Sequence, residues 1–183
     1  LCAVGMGADN TAAGTDAGSV RFFIKINNTW GEANWLTLTA DDALPSDYFG
    51  TSVSYRDPYL IVGATGVGNT GAAYIYQRIG SQWFKEAKIV TPGAVTGDDA
   101  GRAVAVSGNW AMVGAPLVDF DGSPNSGISD PNSGAVFFYK RQANGTWAHT
   151  QTQRDAAAGV LAYIAENDQL GSAVDMAGDV AVV

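Results

Sequence analysis

Positive charge, cysteine, histidine and long apolar runs are all scarce in this chain of 183 residues. Ten Lys and Arg stand against eighteen Asp and Glu, a net charge of -8. With no basic cluster to offset it, that balance repels phosphate backbones and anionic lipid surfaces, so nucleic acid is not an expected partner. No apolar run approaches the roughly 20 residues of a membrane-spanning helix. The longest candidate, GVLAYIA from Gly159, falls far short, and no membrane insertion is expected of this segment. The single cysteine, Cys2, excludes an internal disulfide and reads, within its apolar run, as a small core residue. The single histidine, His149, has no Ser or Cys nucleophile in a recognisable context and reads as a surface residue. No catalytic residue is assigned, and the chain is read as no enzyme. What is abundant is apolar: 46% of residues, enough for one globular domain with a proper core.

The chain opens LCAVGM and closes GDVAVV, both of which read as the middle of an apolar strand. The expectation is a portion of a longer chain, with any targeting signal outside it.

One motif points toward an enzyme. GVGNTG, from Gly66 to Gly71, fits the G-x-G-x-x-G pattern of a dinucleotide-binding loop; an apolar run precedes it, and Glu86 lies where such folds place a ribose-binding acid. Internal repetition decides against that reading. LCAVGM from Leu1, YLIVGA from Tyr59 and WAMVGA from Trp110 align, and their glycines Gly5, Gly63 and Gly114 are spaced by 58 and 51 residues. Each is followed by a second run: GSVRFFIK from Gly18, GAAYIYQR from Gly71 and GAVFFYKR from Gly134. A Trp then recurs as Trp30, Trp83 and Trp147. A last signature follows as DYFGTSVSY from Asp47, DDAGRAVAV from Asp98 and DQLGSAVDM from Asp168. The repeats span about 1–58, 59–109 and 110–183 within one domain, 1–183.

Each repeat holds four short runs rich in Val, Ile, Tyr, Phe and Ala, broken by Gly, Asn, Asp and Pro, which predicts four strands with tight connections. In the third run both faces are apolar: Val136 and Phe138 alternate with Phe137 and Tyr139. Burial on both faces means that each small sheet has a neighbour on either side, as blades of a β-propeller do. The fold class is therefore all-β: four-stranded antiparallel blades, about three of them here, forming part of a larger ring. In this frame GVGNTG is a turn followed by the strand AAYIYQR rather than by a helix able to hold a pyrophosphate. No cofactor is expected.

The combination of Phe49-Gly50, then Val62 to Ala64 or Val113 to Pro116, then Gly71-Ala72 or Gly134-Ala135 leading to a Tyr, resembles the FG-GAP repeat. That repeat occurs in the N-terminal β-propeller of integrin α subunits and in bacterial and algal surface proteins. The likeness covers essentially the whole chain. Ala100 and Leu170 replace the Phe, and Met6 and Thr65 stand where a GAP would continue. The resemblance implies a ring of about seven blades, an extracellular or cell-surface location, and a scaffold or adhesion role toward protein partners; a lectin binding carbohydrate between blades is the alternative. The blade faces of an open arc are expected to be covered by further blades of the same polypeptide or by other subunits. A bare ~400 Å² at each end would forgo roughly 10 kcal/mol of burial.

The calcium loops of integrin-type repeats lie between the FG and GAP strands, and they do not carry over. Here those connections are tight turns at Asp57-Pro58, Gly108-Asn109 and Gly178-Asp179, with too few oxygens. A separate acidic loop, with Asp119, Asp121, Asn125 and Asp130, reads either as a calcium site or as an exposed, partner-binding loop; Asp9, Asn10 and Asp16 make a weaker set. Asp47, Asp98 and Asp168 recur once per repeat and read as turn caps. The recurring Trp reads as blade packing. Two sequons, at Asn27 and Asn144, fall in the turn joining the third and fourth strands and are candidate glycosylation sites. The stretch DAAAGVLAYIAEN from Asp155 interrupts the β pattern and suggests a short helical insertion.

Overall fold

A computed structural model describes residues 1–121, 129–154 and 167–183. The strands, in chain order, are β1 (Cys2–Met6), β2 (Ser19–Ile26), β3 (Thr29–Leu38), β4 (Phe49–Arg56), β5 (Tyr59–Ala64), β6 (Ala72–Ile79), β7 (Gln82–Ile89), β8 (Ala103–Ser107), β9 (Trp110–Ala115), β10 (Phe120–Asp121), β11 (Ser129–Asp130), β12 (Ala135–Arg141), β13 (Trp147–Gln153), β14 (Asp175–Ala177) and β15 (Val180–Val182). No α-helix occurs among the described residues.

Every ladder is antiparallel between neighbours in sequence, apart from the insertion of β10 and β11 between β9 and β12. The sheets are β1-β2-β3, β4-β5-β6-β7, β8-β9-β12-β13 and β14-β15, termed the first to fourth blades. The blade and the sequence repeat are out of phase by one strand. Each FG signature ends one repeat yet supplies the first strand of the next sheet, as Phe49 does at the head of β4.

Hairpin chemistry accounts for the meander. Asn27 (φ 48°) and Asn28 (φ 64°) turn β2 into β3, and Gly80 (φ 63°), Gly108 (φ 55°) and Gly178 (φ 58°) do so at the equivalent or neighbouring turns. A register shift recurs where the third strand meets the fourth: between Arg21 and Phe23, between Ile75 and Tyr76, and between Phe138 and Tyr139. The extra residues, one in the second and third blades and three in the first, bend the outer strand of each blade at one place.

The core lies between blades. All six residues of β5 are buried. Its alternate side chains serve two cores: Leu60 and Val62 join Val20 and Phe22 of the first blade, whereas Tyr59 and Ile61 join Val106, Val113 and Phe137 of the third. The two-sided third strand expected from sequence is present, with Phe137 and Tyr139 in one cluster and Val136 and Phe138 in another.

Cys2 departs from expectation: it is exposed. Its repeat equivalents Leu60 and Ala111 are wholly buried because each faces the blade before it. Cys2 stands on the outward face of the first blade, where no described residue covers it.

Candidate interaction site at the blade joints

Three backbone contacts weld each joint near its inner end. A Cβ built on Gly63 would fall inside the carbonyl oxygen of Gly101, and one on Gly71 inside that of Ala100. The same pairing recurs as Gly5 on Gly50 with Gly18 on Phe49, and as Gly114 on Gly171 with Gly134 on Leu170. The N–H of the residue before the FG glycine donates across the joint each time: Phe49 to Ala17 O at 3.1 Å, Ala100 to Thr70 O at 3.0 Å, Leu170 to Ser133 O at 2.9 Å. The glycines of the repeat are thus where two backbones meet without side chains between them.

This accounts for GVGNTG. Gly66 backs onto the carbonyl of Ser46, Gly68 takes φ 60° within a single 3₁₀ turn over Val67–Asn69, and Gly71 (φ 83°) seats against the next blade. Three separate constraints produce the nucleotide-like spacing, and strand β6 follows. Glu86 faces no ribose site. It accepts hydrogen bonds from Arg141 Nε at 2.9 Å and Nη2 at 2.7 Å, and from the indole N–H of Trp147 at 2.9 Å. Burial pushes its carboxyl upward, but the bonds from Arg141 and Trp147 and the guanidinium charge outweigh that and hold it below the ordinary carboxylate range.

The outer end of each joint is aromatic. Trp83 of the second blade stacks on Phe22 of the first, with ring centroids 5.3 Å apart, and meets Tyr55 edge-on at 5.6 Å. Trp147 of the third blade meets Tyr59 of the second edge-on at 5.5 Å, and Arg141 covers the same tyrosine ring at 5.6 Å. Trp147 therefore has a polar anchor, whereas the buried indole nitrogen of Trp83 has no partner among the described residues. The register explains the difference, since Ala33 stands on the first blade where Glu86 stands on the second.

Two clefts open at the outer edge. One, of about 480 Å³, lies between β3 and β7 and is lined by Leu36, Leu38, Ser81, Gln82, Trp83 and Phe84, the last 47% exposed. The other, of about 340 Å³, lies between the third and fourth blades, with Trp110, Phe138, Thr150 and Gln151 on one side and Met176 and Val180 on the other.

The remaining sequence candidates are placed as follows. Asp47 and Asp98 are buried turn caps, accepting the backbone N–H of Leu44 at 2.7 Å and of Val95 at 2.8 Å. Asp168 is exposed at the matching position. In the acidic loop, Asp119 accepts the N–H of Asn132 at 2.9 Å. Asn125 lies outside the described residues, as do the side chains of Asp121 and Asp130 and residues 155–166 of the proposed insertion. In the weaker set, Asp9 is taken by Ser19 at 2.6 Å and Asn10 by the N–H of Asp16 at 3.0 Å. Among the described residues no three His, Cys, Asp or Glu side chains gather as metal ligands. Asn27 and Asn144 are both exposed, and the Asn144 side chain accepts from Thr146 N at 3.1 Å and Oγ1 at 2.8 Å. His149 contacts Thr152 at 2.9 Å and packs edge-on against Tyr139. No helix among the described residues is long and apolar enough to cross a membrane.

Sequence reasoning missed Glu86 and Arg141 as a cross-joint pair. Arg141 recurs as Lys25 and Arg78, but Glu86 does not, Ala33 and Thr150 standing at its place, so periodicity carried no signal for the pair. Compared with known proteins, residues 32–76 and 83–139 match the family model described as the FG-GAP repeat, together more than half of the chain. No curated protein matches it.

Proposed function

Because the chain belongs to the FG-GAP repeat family, we propose that it is a non-enzymatic extracellular or cell-surface scaffold, an adhesion module that binds protein partners or builds a surface assembly. The observation that carries this reading is where the side-chain chemistry is spent. The ion pair of Glu86 with Arg141, the buried carboxylates of Asp47 and Asp98 and the rings of Trp83 and Trp147 all join blades or cap turns. What the rim offers a partner is loops, with Leu44 and Val95 exposed at equivalent tips. Exposed turns at Asn27 and Asn144 suit glycan attachment, and the loop from Asp119 to Asp130 is retained as a candidate calcium-dependent contact.

A lectin is the second reading, favoured by the cleft beside Trp83 and Phe84, where Ser81 and Gln82 add polar groups to an aromatic wall. Capture of protein partners from a cell-surface extract, undiminished by free sugar and weakened by Leu44→Asp with Val95→Asp, supports the scaffold. Glycan-array binding that is lost in Phe84→Ala establishes the lectin in its place.

A further inference from the structure

Asn144 is the only asparagine of the sequence that is followed by glycine. The carboxamide carbon of an asparagine lies within reach of the backbone nitrogen of the next residue. A glycine there leaves the approach clear, whereas the side chain of Asn28 crowds the same approach at Asn27. The Asn144-Gly145 pair lies in the turn between β12 and β13, where Gln142 N donates to Thr146 O at 2.7 Å and Gly145 N donates to Gln142 O at 3.0 Å. Gly145 holds φ 87°, and Asn144 is exposed. Freeing the nitrogen of Gly145 gives up the second of these bonds alone, at the tip of the hairpin and away from the buried face of the blade.

The carboxamide is prepared for such an attack. Its oxygen accepts from Thr146 N at 3.1 Å and from Thr146 Oγ1 at 2.8 Å. Two donors on that oxygen draw electrons from Cγ and stabilise the negative charge the oxygen gains when a nucleophile adds. Both come from a residue two positions away, so they travel with Asn144 when the tip opens. A cation stands beside the pair as well: Arg141 Nη2 lies 3.3 Å from where a Cβ on Gly145 would stand. Its charge favours loss of the Gly145 amide proton and the anionic intermediate that follows. An unhindered nitrogen, a polarised acceptor and a neighbouring cation thus meet on one exposed turn.

We propose that Asn144 is a site of spontaneous deamidation, set up by Gly145 and Thr146. Gly145 N gives its proton to hydroxide and bonds to Asn144 Cγ; the carboxamide nitrogen takes up a proton and leaves as ammonia, and the product is a cyclic succinimide. Water then adds to either ring carbonyl and breaks its bond to the ring nitrogen, which yields aspartate or isoaspartate. One water is consumed and one ammonia released, with no change of oxidation state. The change puts a negative charge on the turn between β12 and β13, and in isoaspartate it adds one carbon to the main chain there. It also removes the carboxamide to which a glycan at Asn144 would be joined, so the two modifications exclude each other. The inference goes beyond the scaffold and lectin readings and depends on neither.

Peptide mass spectrometry of the unglycosylated 183-residue chain, incubated at physiological temperature from neutral to mildly alkaline pH, tests it. The expected result is a gain of one mass unit on the peptide that carries Asn144, faster as pH rises, while the peptide with Asn27 and Asn28 stays unchanged over the same period. Isoaspartate, detected by enzymatic methylation, marks passage through the succinimide. Thr146→Val keeps the shape of the side chain but removes the Oγ1 donor, and it slows the reaction about threefold or more. Asn144→Gln, whose longer side chain must close a larger ring, abolishes the mass gain. Both positions are exposed, so the variants retain the wild-type melting profile, and melts of each confirm that rates are compared on the same fold. An Asn144 that changes no faster than Asn27, a product without isoaspartate, or a rate indifferent to Thr146→Val overturns the inference.

Discussion

Glycine carries the repeat for two different reasons, and substitution separates them. Gly63 has an extended backbone that any residue adopts, so its requirement is purely steric: the carbonyl of Gly101 occupies the space of a Cβ. Gly31, on β3, has nothing within 4 Å of a Cβ. Gly63→Ala is therefore expected to destabilise by about 3 kcal/mol, because backbone on both sides of the joint must move, whereas Gly31→Ala is close to neutral. Urea denaturation of both variants checks this; equal effects contradict the joint as described. The pattern F-G and G-A-P was legible in sequence, but the partnership between its two glycines was not. They lie in different blades, Gly63 in β5 and Gly101 in the turn ahead of β8, and only the packing of one blade on the next brings them together.

Within the elements, β7 and β13 present the same residue to unlike partners. Trp147→Phe removes an indole N–H from a half-buried carboxylate and is expected to cost about 1–2 kcal/mol, while Trp83→Phe gives up no hydrogen bond and keeps the stack on Phe22. Thermal melts of the pair should show the larger loss for Trp147→Phe, and the reverse order would overturn the assignment. Glu86 adds a pH dependence to the same joint. Its carboxyl is held below the ordinary range in the folded protein, so its contribution is fully present above the usual glutamate titration and is lost as pH falls through the lowered folded value. The stability difference between wild type and Glu86→Gln, about 1 kcal/mol at neutral pH, is expected to shrink on acidification. A difference that grows toward acid contradicts the sign. Strand identity and turn chemistry were readable here from alternation and from Gly, Asn and Asp. The recurring register shift in the third strand was not, because a bulge leaves the composition of a strand unchanged.

For the whole molecule, charge governs colloidal behaviour while the joints govern shape. A net charge of -8 at neutral pH, with an isoelectric point of about 4.3, predicts a solubility minimum near that pH and increasing dispersal above it. Turbidity measured across the acid range should peak there; a maximum at neutral pH would mean that exposed apolar blade faces outweigh charge. The sharpest difference between expectation and outcome also belongs to this scale. Cys2 sits in as apolar a run as its buried equivalents and on the same face of its blade, yet it is exposed, because Leu60 and Ala111 each lie against the preceding blade whereas no described residue covers that face of the first.

The period of the apolar runs by itself determined that this chain forms small antiparallel sheets with cores on both faces, since alternation and turn residues act over a few residues and need no distant partner. The phase between repeat and blade, the contacts between glycines of successive blades, the pairing of Glu86 with Arg141 and the unequal anchoring of Trp83 and Trp147 were decided only by the tertiary structure. Each of these depends on groups some 30 to 60 residues apart in the chain, and their meeting is set by how one twisted sheet lies on the next.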